Sequence, residues 1–136
     1  MKTKLLTLKI ISRVALGMVW FYEGLVPKVL VLRADEIALV QKSHLVWGTP
    51  ELTLRLMGIA QIALGIWLII GVAERIAVVV ATLWMSILIV LVASGNRSML
   101  ADPYGALVKD FCLMACAFTV WLLSPITKES GVLTSS

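Results

Sequence analysis

Four stretches of this chain are apolar for long enough to cross a bilayer, and that feature restricts the fold more than any other. A spanning helix needs about 20 mostly apolar residues, because in hydrocarbon each backbone N–H and C=O must be satisfied within its own segment. The stretches run over residues 5–30, 52–72, 75–93 and 104–123. The expected fold class is therefore an all-α membrane protein, a four-transmembrane-helix bundle forming a single domain over residues 1–136. With 60% hydrophobic and 15% charged residues, the chain lacks the polar surface that a water-soluble domain of this length requires.

The connections give the bundle its outline. Gly71 to Glu74 read as a tight turn, which makes spans two and three an antiparallel hairpin. Asn96 to Pro103 read as a longer polar loop, with Gly95 closing the third helix and Pro103 preceding the fourth. Residues 31–50 are too short and too charged to span, so a short interfacial helix is expected between spans one and two. Asp35 is placed as its N-cap, with the helix running from Glu36 to Gln41 and Trp47 at headgroup level. The Ser/Thr-containing tail from Pro125 is expected to fray.

Orientation follows the Lys and Arg count. Lys2, Lys4, Lys9, Arg75 and Lys128 lie on the side of the termini, and Lys28, Arg33, Lys42 and Arg97 on the other. The lysine cluster and short first tail place both termini in the cytoplasm. The apolar run past Trp20 to Leu30 has no small-residue cleavage site after it, so the first span is expected to stay rather than to be removed as a signal peptide. The scattered basic residues lack aromatic interleaving, so nucleic acid is not an expected partner.

Helical phase divides each span into a polar and an apolar side. Arg13, Gly17, Trp20, Glu23, Gly24, Pro27 and Lys28 share an arc of about 140° in the first. Arg55, Gly58, Gln61 and Gly65 share one side of the second. Arg75, Thr82, Ser86 and Ala93 form a stripe on the third, and Gly105, Lys109, Cys112, Cys116 and Thr119 on the fourth. The polar sides are expected to face inward, with small residues admitting close helix approach. Cys112 and Cys116, four apart on a helix, cannot bridge and read as small core residues. Arg13 is expected to snorkel to the headgroups.

A charge inside a span costs about 2.5–3.5 kcal/mol on insertion scales, so it must pair or meet water. Counting from the ends of their spans, Glu23, Arg55 and Lys109 reach one depth, about one to two turns below the surface remote from the termini, with Trp20 a turn deeper. Pro27 also frees the carbonyl of Glu23. The candidate ligand-binding residues are thus Trp20, Glu23, Lys28, Arg55, Gln61 and Lys109, a polar pocket for a small-molecule head group. An ion-pair network that fixes helix register is the alternative. No metal set is expected.

The run from Trp20 to Lys28, with Glu23, Gly24, Leu25 and Pro27 between, resembles the first-helix signature W-x-x-E-G-L-x-P-K of the DoxX-like family. The resemblance extends to Gly58, Gln61 and Gly65, and to Pro103, Tyr104, Gly105 and Lys109. Relatives commonly carry an acid where Gln61 stands and an amide where Asp110 stands, so neither position is expected to handle protons here. The resemblance implies a small multi-pass protein of the bacterial inner membrane, a class that includes membrane subunits of thiosulfate:quinone oxidoreduction and partners of detoxifying enzymes.

Three functions follow as expectations. The first is a membrane subunit or anchor for a redox enzyme, binding a quinone or lipid head group and partnered by a soluble NAD(P)-dependent or other oxidoreductase. The second is a small-molecule or lipid-binding transporter, expected as a homo-oligomer. The third is a structural or assembly factor with no ligand. The sequence holds no haem-type histidine pair, C-x-x-C or nucleotide loop, so it is not expected to be an enzyme on its own. The topology is directly testable: reporter fusions after Ser136 and within residues 96–102 should report opposite sides of the membrane, and the same side for both would mean a miscounted span.

Overall fold

The computed structural model describes residues 1–42, 44, 46–95 and 106–133, with residues 92, 95, 106, 107 and 126–133 described by backbone alone. Five α-helices follow one another: α1 (Lys2–Gly24), α2 (Ala34–Lys42), α3 (Pro50–Ile70), α4 (Glu74–Gly95) and α5 (Ala106–Leu133). A wider, π-helical stretch, Leu25–Leu30, continues α1. Four of the helical runs, Lys2–Leu30, Pro50–Ile70, Glu74–Leu91 and Val108–Pro125, are long and apolar enough to cross a membrane. The expected bundle is therefore present, and the short α2 lies between its first and second spans.

Local chemistry accounts for the boundaries. At Pro27 the chain loses a backbone donor, so the α-helical ladder cannot continue through it. It widens instead: Val31 N–H reaches the Val26 carbonyl at 3.0 Å and Arg33 N–H the Pro27 carbonyl at 3.2 Å. At the start of α3, Thr49 Oγ1 accepts from Leu52 N–H at 3.2 Å, and Pro50 fills the first turn, where its missing donor costs nothing. Gly71 ends α3 at φ 82°, a conformation a β-carbon disfavours. The Arg13 guanidinium also packs where that β-carbon would stand.

Two expectations about ends are corrected. Asp35 does not cap α2: the helix begins one residue earlier, and Asp35 and Glu36 both sit in its first turn, where acids suit the positive end of the helix dipole. Asp35 instead pairs with the neighbouring Arg33 at 3.1 Å. The helix does not stop at Pro125, because α5 continues to Leu133 with the proline inside it. The expected loop from Asn96 to Pro103, with Tyr104 and Gly105, lies outside the described residues.

In cross-section α1 packs against α3 and α5, and α4 packs against the same two helices, so α1 and α4 stand diagonally. The α1–α3 seam is the tightest contact. A β-carbon on Gly24 would lie 2.5 Å from the Gly58 carbonyl oxygen, and one on Gly65 would lie 2.7 Å from that of Gly17. Seven residues separate the glycines on each helix, so Gly17 meets Gly65 and Gly24 meets Gly58 in one antiparallel register. The core beside this seam is Leu16, Trp20, Leu64, Leu68, Ala77, Val78, Ala81, Met85, Leu113, Ala117 and Val120.

The inward faces of α1 and α3 match expectation at Gly17, Trp20, Gly24, Gly58, Gln61 and Gly65, all buried. The polar stripes of the last two spans do not mark their inner faces. In α4 Arg75 is exposed, whereas Ala77, Val78, Ala81 and Met85 are buried. In α5 Cys112 is exposed and Cys116 half-buried, both as free thiols, while Leu113, Ala117 and Val120 are buried. Hydroxyls satisfy themselves within a helix, as Thr82 does on the Val78 carbonyl at 2.8 Å, and Thr119 on that of Ala115 at 2.9 Å, so they give no reason to turn inward.

The seam yields a quantitative expectation. Gly24→Ala must push apart two backbones and should lower stability by about 1–3 kcal/mol. Ala63→Leu, on the exposed side of α3, should leave the detergent melting temperature nearly unchanged. Equal melting temperatures for both variants would mean the seam is looser than this register implies.

Candidate functional site

Polar and charged side chains within the spans gather at three levels. At the end carrying the termini, Lys9 Nζ and Arg13 Nη1 each lie 2.9 Å from a carboxylate oxygen of Glu74. Lys9 is 3% exposed and the Arg13 and Glu74 side chains 15% and 13%, so Arg13 is paired within the bundle. One turn of α1 separates the two cations, and the glycine turn brings the first residue of α4 beneath them. This clamp ties α1 to the α3–α4 hairpin. Sequence reasoning missed Lys9 and Glu74 as partners, although the depth count applied to Glu23 would have placed both at one level.

At the opposite end, which carries the long loop, Lys109 Nζ meets Glu23 Oε1 at 2.7 Å and joins α5 to α1. Lys28 is buried and donates to the backbone carbonyl of Glu23 at 3.2 Å, the acceptor that Pro27 leaves free. The same ammonium lies 3.2 Å from Glu36 of α2. Arg55 does not join them: it is exposed, and no ion pair among the described residues includes it. The π-helical stretch is the reason, since the Lys28 β-carbon and the Val29 side chain crowd Gly58 and occupy the α3 face to which Arg55 was assigned. Lys28 is therefore the second cation of the cluster, and Glu36, which the sequence did not single out, is its counter-charge.

Between these charged ends lies a neutral level. Trp20 stands ten residues from the end of the π-helical stretch, Gln61 eleven from the start of α3, and Trp84 eleven from the end of α4. At 1.5 Å per residue each is about 16 Å below that end, close to the middle of a hydrocarbon core about 30 Å thick. The rings of Trp20 and Trp84 meet edge to face with centroids 6.4 Å apart, across the diagonal of the bundle. Trp20 is 3% and Gln61 2% exposed. Their Nε1 and Oε1 atoms are buried without a hydrogen-bond partner. Both residues hold the same place in their glycine repeats, three after the first glycine and four before the second.

The candidate residues are thus split. Glu23, Lys28 and Lys109 form an outer charged group, Trp20 and Gln61 a deeper neutral one, and Arg55 stands apart. Glu23, Lys28 and Lys109 are paired within the protein, whereas Trp20 and Gln61 present one donor and one acceptor with no partner, as Arg13 Nε does at the terminal end.

Comparison with known proteins fits this architecture. The model of the DoxX-like family matches residues 17–133. The chain belongs to the DoxX-like family. No curated protein and no solved structure matches it. The matched region takes in both glycine repeats, both charged residues of the Glu23–Lys109 pair and the neutral level between the ends, while Lys9 and Arg13 of the terminal clamp precede it.

Burial ranks the charges. Removing one member of a buried pair costs about 3–5 kcal/mol, while exposed pairs contribute about 0–1 kcal/mol. The Glu23 and Lys109 side chains are 31% and 40% exposed, much more open than the Glu74 clamp. Glu74→Gln should therefore lower the detergent melting temperature more than Glu23→Gln does. The double change Glu23→Leu with Lys109→Met should be tolerated better than either single change. The reverse order of the two Gln variants would show that the loop-end pair, not the clamp, carries the bundle.

Proposed function

We propose that this protein is an inner-membrane subunit or anchor for a redox enzyme that holds a neutral, quinone-type head group at the Trp20–Gln61 level. The observation that carries the reading is the pair of orphaned polar atoms, Trp20 Nε1 and Gln61 Oε1. Leaving a buried polar group without a partner costs about 1–3 kcal/mol, and a bound molecule that pairs with both removes that cost.

The chemistry of the two groups narrows the ligand. Indole N–H can only donate, and suits a ring carbonyl. The Gln61 amide oxygen suits a quinol hydroxyl, and the same amide turned over offers an N–H to a second carbonyl. Such a level can hold the oxidised or the reduced ring without a charged residue. A phospholipid head group fits less well there, because Trp20 and Gln61 are neutral and Lys28 and Lys109 are engaged by Glu36 and Glu23. In this reading electrons pass to and from the bound ring through a soluble oxidoreductase partner.

A second reading, a small-molecule transporter, is favoured by one feature. The first span is interrupted by the π-helical stretch, and the neutral level sits near mid-membrane, as sites in transporters built on broken helices do.

Trp20→Phe with Gln61→Met removes both polar atoms and keeps an aromatic ring and a straight side chain at the two positions. Wild type and variant, purified in mild detergent, would be extracted for quinones and lipids by mass spectrometry and compared in melting temperature. A quinone recovered from wild type and lost from the variant is the expected result. Identical extracts from the two proteins would sink the binding reading, whatever the melting temperatures, because the smaller ring at position 20 also opens a cavity.

A further inference from the structure

Trp20 Nε1 and Gln61 Oε1 are sealed from the surroundings, so a molecule reaches them only if some element moves. The helix held most loosely among the described residues is α2. Its attachment to the bundle is slight. It packs against α3 and touches α4, with Val40 as its one buried residue. Ala34, Asp35, Ala38, Gln41 and Lys42 are exposed. The Arg33–Asp35 pair is local and makes no link to a span. Residues of positive φ flank the helix on both sides, Leu32 at 48° before it and His44 at 56° and Gly48 at 81° after it. Segments with few buried contacts belong to the least stable part of a structure and open first.

The ion pair of Glu36 with Lys28, at 3.2 Å, ties α2 to the first span. Lys28 has a second partner, the Glu23 carbonyl, which belongs to its own helical run and stays when α2 leaves. Opening therefore does not strand the ammonium, and Glu36, with its side chain 25% exposed, passes into water. Both states are satisfied, as a two-state element requires.

We propose that α2 is a latched strap over the loop end of the bundle, with Lys28–Glu36 as the latch, and that its release opens the way to the Trp20–Gln61 level. The gating role rests on the binding function proposed above, whereas the latch does not, and its test needs no ligand.

The test reads the labelling rate of Val40→Cys by a membrane-impermeant maleimide, in lipid nanodiscs, with Cys112 and Cys116 replaced by Ser. Glu36→Gln should speed labelling about tenfold, the shift expected from losing one charged hydrogen bond. Glu36→Asp should stay near the parent rate, and Asp35→Asn, which neutralises the adjacent acid, should leave it unchanged. Val120→Cys, at a fully buried position of α5, should remain unlabelled throughout. Equal rates for Glu36→Gln and its parent overturn the latch, and so does labelling of Val120→Cys in the Glu36→Gln protein, because the helix would then be opening with the whole bundle. Faster labelling with no quinone in the extracts upholds the strap and discards the ligand.

Discussion

The close approach of α1 and α3 sets the terms for everything else in this protein. Lipid tails are as apolar as leucine side chains, so hydrophobicity alone does not press two helices together in a membrane. Contact area and close backbone approach must supply the attraction, and glycine permits both. With Gly17 against Gly65 and Gly24 against Gly58, the two helices can slide or rotate only by driving backbone into backbone. Register is therefore fixed by absence of side chains. Once it is fixed, the residues between the glycines have no choice of level, and Trp20 and Gln61 fall within one residue of each other in depth.

The charges act as end-stops on this seam. At one end Glu74 gathers two cations of α1, and at the other Glu23 and Lys109 join α1 to α5. Each bridge crosses between spans that are distant in sequence, and each sits near an end, where solvation of the charged group is least costly. The middle is left neutral. That division explains how a chain can carry several ionisable residues inside its spans and still form a bundle whose central layer is closed by aromatic and amide groups.

Much of the fold was legible from sequence because length and hydropathy alone define a spanning helix. The glycine faces of α1 and α3 could be read for a related reason: glycine against glycine leaves one packing answer. The polar stripes of α4 and α5 misled, since Ser, Thr and Cys are content on a lipid-facing helix when their hydroxyls or thiols need no outside partner. Arg55 was misplaced because it stands at the edge of the arc that Gly58, Gln61 and Gly65 share on α3, and the π-helical stretch fills that face. Glu36 escaped notice because its partner lies in that same irregular stretch. Glu74, the partner of Lys9 and Arg13, escaped notice because it belongs to a turn that looked purely structural.

The irregular stretch is also what relates the seam to the outer surface. A regular α-helix through residues 25–30 would turn the Lys28 side chain to a different direction, because a π-helical turn brings residues five apart, not four, onto one face. Lys28 stands five after Glu23, and the widened turn lets its ammonium reach back to the Glu23 carbonyl. Pro27 thus does two things at once: it removes the donor that would have used that carbonyl, and it forces the geometry in which Lys28 replaces that donor. The replacement is a long, flexible cation in place of a fixed amide. A fixed amide satisfies its carbonyl and nothing further, but an ammonium has three donors and can hold Glu36 while it holds Glu23. The connection between the rigid seam and the loosely attached α2 is therefore a direct consequence of one proline, placed where the first span leaves the core.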